Sequence, residues 1–172
     1  MDDEILDLVN KNDEVIGIVN RKNYQQMLES NAGYIRASDL FIMNSKGQLF
    51  IPVRTAHKTI APNGFDYSAG GHVESGETYL ETIIREAKEE LNISINEQDL
   101  VLIGKDTADD IKYIRSIYLI YSDDTPKFNT NDFKDAHWLT PDEVIQKINA
   151  GHPAKSNLKK TINMLKNYLS TN

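Results

Sequence analysis

The sequence predicts an α+β fold: a mixed β-sheet sandwiched between α-helices, with a β-hairpin extension at the N-terminus. Three observations predict it. Short β-prone runs recur along the chain, separated by polar turn-forming stretches. A strongly amphipathic helix follows a glycine pair near the middle, and a further helix-start signature lies near the end. No internal repeat, low-complexity segment or linker divides the 172 residues. One domain over 1–172 is therefore expected, with 1–33 as a hairpin and helix extension and 34–172 as the core.

The elements follow in order. Leu6 to Val9 and Val15 to Val19 are β-prone, and Asn10-Lys11-Asn12-Asp13 between them turns the chain. Tyr24 to Ser30 suits a short helix. Tyr34 to Met43 reads as a strand ended by Asn44-Ser45-Lys46-Gly47, with Gln48 to Arg54 as its hairpin partner. Pro62, Asn63 and Gly64 break the stretch from Thr55 to Ser68 into a loop. Gly70-Gly71 comes next, then a helix from about Thr78 to Leu91. Val101 to Gly104, Tyr113 to Tyr121 and Ala136 to Leu139 read as further strands. Thr140-Pro141-Asp142-Glu143 supplies an N-cap, a first-position proline and a capping box. Asn157 to Leu169 closes the chain as a helix.

Composition removes several function classes. No apolar run approaches the roughly 20 residues of a membrane span. The start, Met1-Asp2-Asp3-Glu4, is acidic where a secretory signal would be basic and then apolar, so a cytoplasmic protein is expected. There is no cysteine, hence no disulfide, thiolate metal site or cysteine nucleophile. A formal net charge of -7 opposes binding to a nucleic acid polymer. Lys155, Lys159, Lys160 and Lys166 read as a solvated helix face.

On a helical wheel, Leu80, Ile83, Ile84, Ala87 and Leu91 form one apolar stripe. Thr78 and Glu81 fit a capping box at its start. Glu86, Glu89 and Glu90 lie together on an arc beside the stripe. Arg85 can pair with Glu89 at i,i+4, but one cation does not offset three carboxylates. A divalent cation would, and hard oxygen ligands on a rigid helix suit Mg²⁺ or Mn²⁺.

These residues belong to a longer pattern. Gly71 is followed after five residues by Glu77, and after seven more by Arg85-Glu86-Ala87-Lys88-Glu89-Glu90, with Ile93 closing 23 positions. The pattern closely resembles the Nudix box. One position departs: Asn92 stands where the family usually has glycine. Asparagine is the next most tolerant residue of a left-handed helix cap, so the backbone can follow the same path.

The resemblance implies a Nudix fold and a Mg²⁺-dependent hydrolase that cleaves a diphosphate linkage, with a small-molecule diphosphate as partner. It implies that Glu86, Glu89 and Glu90 bind metal, and that Glu86 orients or deprotonates a water. Arg85 and Glu77 would brace loop and helix. Gly70 and Gly71 would let backbone approach the metal or phosphates. Asp132 and Asp135 are candidates for a further carboxylate outside the box.

Beyond the box, Leu6-Asp7-Leu8-Val9-Asn10, then Arg54 and Lys58, then Asp66 to Glu77, resemble the branch related to isopentenyl-diphosphate isomerase. That makes Arg54 and Lys58 candidates for diphosphate binding. The isomerase, however, protonates a double bond with a cysteine that this chain lacks. Isomerases also carry a His-Arg segment where this chain has Tyr34-Ile35-Arg36-Ala37. His72 reads as a loop residue of the box, and His57, His137 and His152 as structural or solvent-facing.

Hydrolysis of a nucleoside diphosphate or its derivative is therefore expected. An isomerase-like enzyme and a non-catalytic nucleotide-binding module are the alternatives. Substrate choice is expected in the 55–68 loop, the 104–112 loop and the N-terminal extension. Tyr67, Phe65 and Tyr113 are the aromatic candidates for stacking on a base, with core or loop packing as the other reading of each. Oligomeric state stays open.

Overall fold

The computed structural model describes residues 4–172, so the acidic Met1–Asp3 start lies outside the described residues. Strands β1 (Ile5–Val9) and β2 (Val15–Asn20) pair as the expected antiparallel hairpin. Helix α1 (Tyr24–Ser30) follows, and Asn31 ends it in the left-handed conformation. Met27 of α1, Leu6 of β1 and Ile35 form a small buried cluster, which docks the extension onto the core.

Strand β3 (Ile35–Met43) is the centre of the main sheet. It pairs in parallel with β7 (Tyr113–Tyr121) along its full length. Its other edge is shared. The first half, Ala37 to Leu40, pairs antiparallel with β5 (Ala69–His72), and Met43 meets Leu49 of β4 (Leu49–Arg54). Strands β6 (Val101–Ala108) and β8 (Phe133–Leu139) complete a six-stranded sheet in the order β6-β7-β3-β4-β8, with β5 alongside β3.

Alternate side chains of β3 point to opposite faces, and both faces are covered. Leu40 and Ile42 pack with Ile83, Ala87 and Leu91 of helix α2 (Tyr79–Leu91). Phe41 and Met43 face Val144 of α3 (Pro141–Asn149) and Leu158, Ile162 and Leu165 of α4 (Leu158–Thr171). Ile83, Ala87 and Leu91 are fully buried, as the apolar stripe of the sequence requires. Truncating Ile83 or Leu91 to Ala should cost about 2–5 kcal/mol.

Three expected boundaries shift. Residues 69–72 form a strand, although Gly-Gly carries no β-propensity; the backbone of β3 supplies the pairing. β6 continues to Ala108, so the expected 104–112 loop shrinks to 109–112. β8 begins at Phe133, which places Asp135 within a strand opposite Val53.

Both capping boxes form, Thr78 with Glu81 and Thr140 with Glu143. Asn92 caps α2 at φ 55° and ψ 29°, donating its N–H to the carbonyls at the end of the helix. Asn92→Gly should therefore hold stability within a few tenths of a kcal/mol, whereas Asn92→Val should lower it by about 1–2 kcal/mol. Urea unfolding of the two variants measures the difference.

Candidate active site

Helix α2 turns its acidic arc toward β5. The stripe that buries Ile83, Ala87 and Leu91 fixes the rotation, so Glu86 and Glu90 face the sheet edge. The Glu86 side chain is 14% exposed, and its Oε1 accepts from Arg85 Nη1 at 2.8 Å. Glu90 Oε2 accepts the Gly70 N–H at 2.9 Å. Glu89, one position earlier, is 59% exposed at the mouth, 3.5 Å from Arg85 Nη1.

The two glycines make this approach possible. A Cβ on Gly71 would overlap the Glu86 carboxylate. One on Gly70 would run into Asp39 Oδ1 and the Ser38 carbonyl. Here glycine is required by close approach of backbone to side chain and not by an unusual φ.

Arg85 ties helix, loop and strand together. Its Nε and Nη2 donate to the two carboxylate oxygens of Glu77, at 2.9 and 3.0 Å, a forked pair. Nη2 also donates to the His72 carbonyl of β5, at 3.2 Å. Glu77 accepts a further bond from the Thr82 hydroxyl at 2.8 Å. This is the brace expected of Arg85 and Glu77.

The acidic face lines a cavity of about 630 Å³. Arg54 and Lys58 line the same cavity, so Gly70, Gly71, Arg85, Glu86, Glu89 and Glu90 converge there with both cations, while Glu77 stays behind Arg85. Arg54 is held by an ion pair with buried Asp66 and by the Ile60 carbonyl at 2.7 Å. Lys58 pairs with Asp132, which also lines the cavity. Asp135 does not line it; its carboxylate stands 3.5 Å from His137 on the exposed side of β8.

Several expectations need correction. Lys155 is not on a solvated face: it lines the cavity and pairs with Asp66 at 2.9 Å. For Tyr67 and Phe65 the fold decides between the two readings: both are core residues. The Tyr67 hydroxyl accepts from Thr161 at 2.9 Å, and Phe65 stacks on His152 with centroids 3.8 Å apart. Of the three aromatic candidates only Tyr113 reaches the cavity. His72 lies in β5 and not in a loop, sharing a 2.8 Å hydrogen bond with the Tyr113 hydroxyl and standing 3.3 Å from Glu4. His57 contacts the Asn131 carbonyl, in keeping with a structural role.

Burial sets the electrostatics. Desolvation raises the Glu86 carboxyl above its ordinary value, and Glu89 and Glu4 add to this against Arg85. Desolvation, then Asp66 and Glu86, push Glu90 well above the usual range. Asp66 goes the other way: burial opposes its charge, but Lys155 and Arg54 outweigh it and hold its carboxyl below the ordinary value. Asp39, buried beside Arg115, stays raised because desolvation exceeds the attraction. Among the described residues, no three acidic or histidine side chains converge as a ready-made cage. Arg85 and the Gly70 N–H occupy Glu86 and Glu90 instead.

The NUDIX domain family model matches residues 33–161. The chain belongs to the Nudix hydrolase family. An uncharacterized Nudix hydrolase of Nostoc sp. is 42% identical over 165 residues, covering 94% of this chain and 95% of the relative. A crystal structure from Deinococcus radiodurans superposes with a TM-score of 0.83 at 38% identity, over 93% of this chain and 98% of that one. An isopentenyl-diphosphate delta-isomerase of Photorhabdus laumondii is 26% identical over 82% of each chain, consistent with the branch that the sequence resembles. This Nudix enzyme thus belongs to a family that generally hydrolyses pyrophosphate linkages and generally uses divalent cations.

The glycine contact makes a specific demand. Gly71→Ala should displace the Glu86 carboxylate and lower kcat/KM for diphosphate hydrolysis by about tenfold or more. The melting temperature should stay close to that of the parent, because the flexible end of a side chain can move aside. Steady-state kinetics and calorimetry on one preparation check both halves.

Proposed function

We propose that this Nudix hydrolase cleaves the diphosphate linkage of a nucleoside diphosphate or a derivative of one, using Mg²⁺, with Mn²⁺ as a substitute. The observation that carries the reading is the meeting of Glu86 and Glu90, on the Gly70–Gly71 edge, with Arg54 and Lys58 in one cavity. The donor set fits the metal: all oxygen, on a rigid helix, beside a strand edge that only glycine leaves open. The upward shift of Glu86 and Glu90 is also what a site built to receive positive charge would show. When bound, the metal would neutralise diphosphate oxygens and lower the cost of charge building up on them.

The chain's own residues do the rest. Glu86, Glu89 and Glu90 would hold the ion. Arg54 and Lys58, steadied by Asp66 and Asp132, would grip the diphosphate oxygens. Glu86, oriented by Arg85, would take a proton from the water that attacks one phosphorus. The bond from that phosphorus to the bridging oxygen breaks, and a phosphate-bearing group leaves. Positioning and fixed charge would supply most of the acceleration. Residues 1–172 would act as one domain, in the cytoplasm.

An isomerase reading has the 26% identity over 148 residues to an isopentenyl-diphosphate isomerase in its favour. Against it, the chain offers no cysteine to protonate a double bond. A non-catalytic module would have no need of all three glutamates, which are present.

Removing divalent metal with a chelator should abolish phosphate release, and adding Mg²⁺ should restore it. Glu89→Gln should lower turnover by roughly 10²-fold or more with the fold retained by circular dichroism. Unchanged turnover in that variant would contradict the assignment of the metal site.

A further inference from the structure

Cleavage as described employs the glutamates, the glycine edge and the Arg54–Lys58 pair. Lys155 lines the same cavity and has no part in those steps. It lies far beyond Ile93, where the box ends, and just before α4. Its backbone is pinned to the loop after β4. The Phe65 N–H donates to the Pro153 carbonyl at 2.8 Å, and the Lys155 N–H donates to the Phe65 carbonyl at 3.0 Å. These bonds join Phe65 and Ala154 in a parallel bridge. His152 stacks on the Phe65 ring at the same place. Gly64 lets the two segments approach: a Cβ there would stand 2.8 Å from the Pro153 carbonyl carbon and 2.9 Å from its oxygen. The ladder and the glycine contact therefore fix where the Lys155 side chain begins.

From there the side chain turns inward. It is 22% exposed, and Nζ stands 2.9 Å from Asp66 Oδ1. The other oxygen of Asp66 takes Arg54. One buried carboxylate thus spaces two cations along the cavity wall. An ammonium has three donors, so the contact with Asp66 leaves others for the cavity. The Lys155 charge also favours the ionised forms of Glu90 and Asp39 and disfavours protonation of His72. Those groups belong to α2, β3 and β5, whereas Arg54 ends β4 and Lys58 follows it. Lys155 therefore stands between the glutamate face and the Arg54–Lys58 pair.

We infer that Lys155 is a catalytic residue: its ammonium donates to the oxygens of the phosphorus under attack and stabilises the charge that builds there in the transition state. The assignment rests on the hydrolysis reading above. In that step water adds to phosphorus as its proton passes to Glu86. The bond to the bridging oxygen breaks, and its electron pair goes with the leaving group. Lys155 keeps its protons throughout and supplies only charge and hydrogen bonds. Because its backbone is pinned before substrate arrives, little reorganisation is needed when the charge develops. A compact ammonium suits a single phosphoryl group, where the Arg54 fork suits two oxygens at once. An interaction that strengthens only as the phosphorus is attacked acts on kcat more than on KM.

The test is steady-state kinetics of the full chain with Mg²⁺ and the common ribonucleoside diphosphates, on the parent, Lys155→Met, Lys155→Arg and Lys159→Met. With the best substrate, Lys155→Met should lower kcat by about 10²-fold while KM stays within about threefold. Lys155→Arg, which restores the charge, should recover about tenfold of that loss. Lys159, exposed and bonded to Asn149, serves as the control for charge at a distance, and Lys159→Met should match the parent. If Lys155→Met does not fold, Lys155→Gln, which keeps a donor for Asp66, carries the same comparison. A rise in KM with kcat kept makes Lys155 a ground-state contact and overturns the assignment. So does an equal loss in the Met and Arg variants that follows a lowered melting temperature, since that marks a structural role. A parent that cleaves while Lys155→Met keeps its kcat removes the role of Lys155 alone. A parent that cleaves none of the compounds removes the hydrolysis reading, and this assignment with it.

Discussion

A helix that turns carboxylates toward a sheet needs bare backbone at the point of contact. Gly70 and Gly71 provide it along β5, where any Cβ would strike Asp39, Ser38 or Glu86. That contact lets the Gly70 N–H reach Glu90 and lets Arg85 reach the His72 carbonyl while still gripping Glu77. The rotation of α2 comes from the buried stripe on its other side, so the same packing that stabilises the helix aims its acids. Core and site are thus set by one helix orientation, and neither can shift without the other.

The acidic chain builds a cation-lined cavity by pairing each cation with an acid behind it. Asp66 stands between Arg54 and Lys155, Asp132 beside Lys58, and Asp39 beside Arg115. Such buried or half-buried pairs add little net stability, because desolvation consumes most of the attraction. Their value is placement: long side chains that would sweep through many rotamers are held near a common space. The charge at the cavity wall is therefore local, and the whole-chain balance of -7 hides it.

What could be read in the sequence was local in origin. The α2 stripe, the Thr78–Glu81 and Thr140–Glu143 capping boxes and the Asn92 cap all depend on neighbours within about one helical turn, and each is found where the pattern places it. The relation of Gly71 to Glu86 was legible only through the fixed spacing of the box. What escaped depends on distant partners. Strand β5 exists because β3 offers it a ladder, and a short run containing Gly-Gly gives no sign of that. Lys155 looks like one of several lysines on a terminal helix, yet it precedes α4 and is drawn inward by Asp66, far earlier in the chain. Tyr67 falls in a stretch that reads as a loop, where stacking on a base and packing both stood open; the fold packs it in the core against Phe41, with its hydroxyl satisfied by Thr161. Arg115 sits in the middle of an apolar strand, and only the fold brings Asp39 of the adjoining strand to it.

The acidic face of α2 and the glycine edge of β5 together are proposed to hold the metal that makes cleavage possible. Manganese located by anomalous scattering in crystals soaked with Mn²⁺ tests this most directly. The expected result is a peak bounded by the carboxylates of Glu86, Glu89 and Glu90 beside Gly70–Gly71, lost in crystals of Glu86→Gln. A well-occupied peak elsewhere in the molecule, with these three carboxylates left unliganded, would contradict it.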